Sequence, residues 1–378
     1  MHISRMLYVT IIITMLAAPA ASEQNVFHEL SSNEISSLSS FYQNNPNFSL
    51  YQLYVQSNEC NLEYPFYSYN LALKCHRAIL KNNTDKMTTI NGTNTVINYM
   101  FNRTKNDNDE LQEELTSLET NSLSYPGMEW ASLAERDLNE SKYYLSISQK
   151  YYNDSNFNDT LDALSKSDFA IYKTKSLLKV AKSRNNSSPQ MNNLHITMAE
   201  KKVASEWIQA ATVQVSQLNN SNEVNDTLKL AQSSLNDSNE YYSNKNYYLA
   251  IMSAAETKAL VEFSLRDGTS TNNTLSKAEK QFIDTNESLN EIINDPNIDF
   301  PLVELNFEMA KIRLNEAKSK DAIDAIPLAD ASIRYLLIAE EQANGVLALK
   351  KTIDDSEKST QSSDLKQMFF DFFSNSLA

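Results

Sequence analysis

The chain has almost no glycine: 4 of 378 residues, about 1% against a usual ~7%. Proline is scarce as well, at 8 residues. Tight β-hairpin turns and phosphate-cradling loops need glycine, which accepts positive φ without steric cost. The shortage therefore excludes all-β folds, Rossmann domains and P-loops. Gly92, Gly127, Gly268 and Gly345 are scattered and form no GxGxxG or Walker pattern. Cysteine stops at 2 and histidine at 4, with no CxxC or HExxH spacing and no triad order, so no cofactor, metal or catalytic residue is indicated. After residue 20 no apolar run reaches the ~20 residues that span a bilayer. Positive charge is also short: 33 basic residues face 48 acidic ones, a net −15. Such a field repels nucleic acid and anionic lipid.

What is plentiful is asparagine, 43 residues, which takes glycine's place in the loops. Fourteen of them begin Asn-x-Ser/Thr sequons: Asn47, Asn82, Asn91, Asn102, Asn139, Asn153, Asn158, Asn185, Asn186, Asn219, Asn225, Asn236, Asn272 and Asn286. Composition alone explains about half of these, and none falls in the last 90 residues. Sequons matter only in an exported chain, and residues 1–20 have the form of a secretory signal. Arg5 is followed by an apolar run from Met6 to Ala18, then the small-residue site Ala18-Pro19-Ala20. In an oxidising compartment Cys60 and Cys75 are expected to form one disulfide. A metal site of Cys60, Cys75 and His76 has no ligand spacing to support it.

From residue 105 onward the apolar residues recur every three or four positions, the signature of one-sided helices that pack on neighbours. Val303, Phe307, Ala310, Leu314 and Ala317 step 4, 3, 4, 3. Three segments are alike: LAERDLNES at Leu133–Ser141, LAQSSLNDS at Leu230–Ser238 and MAKIRLNEA at Met309–Ala317. Tyr151-Tyr152 and Asn156-Phe157 after the first are echoed by Tyr241-Tyr242 and Asn246-Tyr247 after the second. Internal duplication is the economical reading.

The chain accordingly divides into a signal (1–20), an N-terminal helical region (21–104), and three-helix repeats at 105–190, 191–268 and 269–352. A polar linker and Phe-rich tail occupy 353–378. The expected fold is all-α, as tandem helical hairpins in a solenoid or serial bundles. Helices are expected at 105–123, 127–152, 156–183, 193–219, 224–243, 246–266, 274–293, 301–319 and 322–352, with Pro327 kinking the last or delaying its start.

Two features suggest contact surfaces. The second tyrosines of the Tyr-Tyr pairs, Tyr144, Tyr152, Tyr242 and Tyr248, either form an aromatic face for a ligand or lie at the core boundary. Phe369, Phe370, Phe372 and Phe373 form an apolar helix turn that docks on a partner, lies at a membrane interface, or caps the last repeat. Asp295, Asn297 and Asp299 imitate half a calcium loop, but Phe300 and Asn306 stand where glycine and a bidentate glutamate are needed.

The run Tyr241-Tyr-Ser-Asn-Lys-Asn-Tyr-Tyr-Leu-Ala-Ile-Met-Ser-Ala-Ala255, with the LAERDLNES-type motifs, resembles the α-helical region that follows the Lon-like domain of archaeal secreted serine proteases. The resemblance covers at most 127–350 and leaves the protease domain without a counterpart. It implies a secreted helical module, or an accessory or degenerate relative of such a protease. Tetratricopeptide-like hairpins are echoed too, without their 34-residue period. The sequence thus leads to a secreted or cell-surface helical-repeat protein that binds a protein or cell-envelope component.

Overall fold

A computed structural model of the chain describes residues 26–120, 123–188, 190–191, 193–219, 226–266, 274–293, 295 and 298–376. The fold is all-α. The N-terminal part holds α1 (Val26–Asn44), α2 (Tyr51–Cys60) and α3 (Pro65–Asn91). Then come α4 (Thr93–Thr120) and the long hairpin of α5 (Tyr125–Asn153) and α6 (Phe157–Ser187). The rest is α7 (Asn193–Asn219), α8 (Asp226–Ser243), α9 (Tyr247–Leu265), α10 (Thr274–Ile293), α11 (Pro301–Lys318) and α12 (Ala322–Ser376). Two-residue strands β1 (Leu123–Ser124) and β2 (Gln190–Met191) pair antiparallel and clasp the open end of the α5–α6 hairpin.

Helix α9 is the centre of the second half. Twelve of its residues are buried, from Tyr247 through Val261, so it is apolar on every side rather than one-sided. A helix of that kind must be wrapped by others. It is packed by α7, α8 and α12, and its first turn meets α5. Helix α12 also lies along α10 and α11. In the first half α3 carries α1 and α2 and touches α4 and α6.

The repeated alanines explain how the helices approach so closely. Ala134, Ala231 and Ala310 are fully buried, and Leu138 and Leu314 fill the core beside them. Buried serines do the same work and satisfy their own hydroxyls across the contact. Ser238 donates to the Ala250 carbonyl at 2.7 Å, and Ser332 to the Ala310 carbonyl at 2.9 Å. Ser141 and Ser167 meet at 2.8 Å between α5 and α6. In a helix, residues two apart face opposite sides. The sequons at Asn139 and Asn236 therefore pair an exposed asparagine with a buried contact serine.

Several expectations are corrected. Tyr125 and Pro126 belong to the first turn of α5, which starts two residues before the expected 127, because Ser124 caps that turn by accepting from the Gly127 N–H at 3.1 Å. Pro327 falls inside α12, which begins at Ala322. At an exposed position in the second turn, its missing N–H removes only one early hydrogen bond. The linker expected at 353–364 is a continuation of α12. The two cysteines are free thiols. Cys75 is buried against the Leu50 carbonyl at the start of α2 (3.7 Å), whereas Cys60 ends that helix and faces Ser57 (3.7 Å). Ten helical residues at 1.5 Å each separate the two ends by ~15 Å, far beyond the ~7 Å Cα limit of a disulfide. Burial pushes the Cys60 thiol up to about 11.

One glycine is held by packing. A Cβ at Gly345 in α12 would come within 2.9 Å of Ile251 Cγ2 in α9. Ile251 is fully buried and β-branched, so it cannot swing aside. Gly345→Ala should lower stability by about 1 kcal/mol in urea unfolding, since overpacking outweighs the ~1 kcal/mol gain in helix propensity. A stabilised variant would contradict the contact.

Candidate functional site

The α5–α6 and α8–α9 turns have the same construction, 90 residues apart. In each, a Tyr-Tyr pair ends the first helix. The Tyr151 carbonyl accepts from Asn156 N–H at 2.9 Å, as the Tyr241 carbonyl does from Asn246 N–H at 2.9 Å. Ser155 and Lys245 take the left-handed conformation at φ 60° and 66°, at a cost that glycine would have avoided. Asn156 and Asn246 then cap the second helix, accepting from Asp159 N–H at 3.4 Å and Leu249 N–H at 3.2 Å. Even the ring pair is shared: Tyr152 lies 5.9 Å from Phe157, and Tyr242 lies 5.3 Å from Tyr247.

The two tips differ in where they lie. The α8–α9 tip is seated on α5. Asn246 donates to the Ser132 carbonyl at 3.0 Å and to Glu135 at 2.7 Å, while Tyr247 and Tyr248 are buried. Tyr248 donates to Glu129 Oε1 at 3.3 Å, beneath the surface of α5. The α5–α6 tip is more open, with Tyr151 and Phe157 a third or more exposed while Tyr152 packs against Phe101 of α4 at 5.8 Å.

Under the seated tip lies a buried carboxyl node. Glu129 is wholly buried, and its second oxygen accepts the Asp299 N–H at 3.0 Å. Asp299 in turn accepts from the Trp130 indole N–H at 2.7 Å and pairs with Arg184 at 2.8 Å. Phe300, fully buried, is held at φ 50° between this pair and Pro301. Burial, reinforced by the Asp299 charge, raises the Glu129 carboxyl well above its usual range. The node joins α5, α6, α9 and the entry to α11.

Two more carboxyls continue along α11. Glu304 is pushed up to about 8 by burial, with the Asp299 and Glu308 charges adding to it and Arg184 opposing. Glu308 reaches to α3 and accepts the Phe66 and Tyr67 N–H groups at 3.0 and 2.6 Å. It thus caps a helix start that Tyr64 leaves uncapped. Burial raises Glu308 to about 7 against those two donors and Lys311.

A separate buried group joins α1, α3 and α6. His76 Nδ1 meets Glu34 Oε1 at 2.7 Å, and the Tyr172 hydroxyl donates to the other Glu34 oxygen. The His76 and Tyr172 rings lie 3.9 Å apart. Among the described residues, no group of three or more His, Cys, Asp or Glu is placed to hold a metal ion.

The residues singled out in the sequence do not converge on one surface. Tyr248 is fully buried and Tyr242, Tyr144 and Tyr152 are half-buried, so the second tyrosines line no common face. The exposed members are the first of their pairs, Tyr143 and Tyr151, because their neighbours point inward between helices. Phe369, Phe370, Phe372 and Phe373 fall in the last turns of α12, with side chains outside the described residues. Asp295 pairs with Lys350 while Asp299 joins the node, so the imitation calcium loop is divided between two ion pairs.

Among sequons, Asn47, Asn91, Asn102, Asn139, Asn153, Asn158, Asn186 and Asn236 are exposed, and Asn82 and Asn286 half-buried. Asn185 is buried and accepts from Ser124 N–H at 2.6 Å, a position that leaves no room for a glycan. The side chains of Asn219, Asn225 and Asn272 lie outside the described residues, as does the segment 1–25.

Sequence reading missed Glu129, Arg184, Glu308, Glu34 and Tyr172, and it weighed Asp299 and His76 only as metal ligands. One signal was available: Glu129 stands inside the apolar run Met128-Glu-Trp-Ala131, four residues before the core residue Leu133.

Glu129, Glu304 and Glu308 all titrate above their unfolded range, so folding favours their protonated forms. Their contribution is complete below the unfolded carboxyl range and is lost as pH rises through about 7 to 8. The urea midpoint should be higher at pH 5.5 than at pH 9, and Glu304→Gln should flatten the slope. A midpoint that rises with pH in this range would refute the assignment. No family model matches the chain, and no curated protein or solved structure does either.

Proposed function

We propose that the chain is an exported, N-glycosylated all-α scaffold at the cell surface or outside the cell, acting by binding a protein or an envelope component. The observation that carries this reading is how the reactive-looking side chains are used. Glu129, Asp299, Glu308 and the Glu34–His76 pair are all engaged in fastening one helix to another. Eight sequon asparagines face outward from the same body. Interior polar groups thus serve rigidity, and the exterior presents attachment points.

The signal-like segment and the repeated hairpins support the same reading, and the duplication of the Tyr-Tyr turn gives it a simple origin. Among the described residues no helix is long and apolar enough to cross a membrane.

Intact-mass and peptide analysis of the protein recovered from the producing cells tests this. The expected result is a chain that starts after Ala20, recovered from the medium or surface, with sugar mass on exposed sequons. A chain retained inside the cell, with residues 1–20 present and every asparagine unmodified, would overturn it.

A further inference from the structure

The two Tyr-Tyr tips are built alike, yet one is seated on a helix and the other is open. The seated tip shows what the shared construction can do. Its ring pair and its capping asparagine press onto α5, with Asn246 reaching a backbone carbonyl and a carboxylate. The open tip presents Tyr151, Phe157 and the same asparagine to solvent, while Tyr152 packs against Phe101 of α4 at 5.8 Å. The seat on α5 is filled by the α8–α9 tip, so what the open copy leaves is a pair of exposed rings that other copies of the chain can contact.

The sequence differs between the tips at the positions that bear on this. Asn153 and Ser155 make a sequon in the open tip, where the seated tip has Ser243 and Lys245. Asn158 and Thr160 make a second, where the seated tip has Tyr248 and Ala250. Both sequons exist only where the tip is open. Asn153 and Asn158 are exposed, one at each side of the turn. Tyr151 is two residues before the first asparagine and Phe157 directly before the second, so exposed ring faces lie beside both attachment points.

We propose that the α5–α6 tip is a modification site covered by this chain's own N-linked glycans, carried on Asn153 and Asn158. The first sugars rest on the Tyr151 and Phe157 rings, and the bulk of the glycan keeps the tip off other helices. Attachment requires a lipid-phosphate-linked oligosaccharide and its transferase. The asparagine side-chain nitrogen bonds to the sugar's C1, the C1–O bond to the lipid phosphate breaks, and the amide proton leaves with that phosphate. The inference rests on the reading that the chain is exported.

Peptide-level glycan mapping of the exported protein, with sedimentation velocity on wild type and on N153Q/N158Q, tests it. Wild type should carry sugar at both positions and sediment as one monomeric boundary. N153Q/N158Q should shift to a concentration-dependent mixture of monomer and larger species. Adding Y151S/F157S to that variant should restore the monomer, which separates association through the rings from misfolding. Unmodified Asn153 and Asn158 on a chain glycosylated at Asn139 or Asn236 would overturn the inference and leave the export reading intact. So would an N153Q/N158Q protein that stays monomeric. A chain with no sugar anywhere and an intact residue 1–20 segment would remove the export reading, and the inference with it.

Discussion

The fold turns on one buried carboxyl. Glu129 lies in the first turns of α5 with no access to water, and it gathers a hydroxyl from α9 and a backbone N–H from the segment entering α11. Burial and the Asp299 charge raise this carboxyl well above its usual range, while the two hydrogen bonds it accepts oppose the shift. Around it Trp130, Asp299 and Arg184 complete a set of bonds drawn from four parts of the chain. Removing one member would leave others buried without partners, the costly case for interior polar groups. The seated α8–α9 tip, the left-handed Phe300 and the path of α11 all follow from satisfying that node.

A second constraint comes from the lack of glycine. Helices approach through alanine and serine, and the serine hydroxyls close onto carbonyls of the neighbouring helix. Turns that need positive φ take it on Ser155 and Lys245, each held by an asparagine cap and a paired ring. These turns are therefore locally strained and kept in place by what surrounds them. The seated tip gains that support from α5. The open one has its own ring pair and cap and the contact of Tyr152 with Phe101, and its outer rings, Tyr151 and Phe157, stay uncovered.

Most of the helices were legible in the sequence, and much of what ties them together was not. Periodicity located α5 to α12 to within a few residues because their apolar stripes are strong. It placed the end of α12 too early, since a polar helix such as residues 354–364 has no stripe to detect. It also placed the α5 start two residues too late, because Pro126 resembles a break until Ser124 is seen capping the turn. The alanines of the LAERDLNES-type motifs sit at close helix contacts, so the likeness of the three segments marks equivalent packing positions. The disulfide failed for a geometric reason that spacing cannot reveal, namely that a straight helix separates Cys60 from Leu50 and its neighbour Cys75. The carboxyl node escaped because Arg184, Tyr248 and Asp299 lie 55, 119 and 170 residues beyond Glu129, and only the fold brings them together. Asn185 fits the sequon pattern, yet its side-chain oxygen accepts the Ser124 N–H and closes the β1 clasp.

Native-state hydrogen exchange tests the role of the node most directly. If the Glu129 carboxyl fastens the two halves, the Asp299 amide should exchange only with the slowest amides of α9, through global unfolding. Exchange of Asp299 at the rate of an open loop, while α9 stays protected, would show that the contact opens on its own and that the rest of the structure does not depend on it.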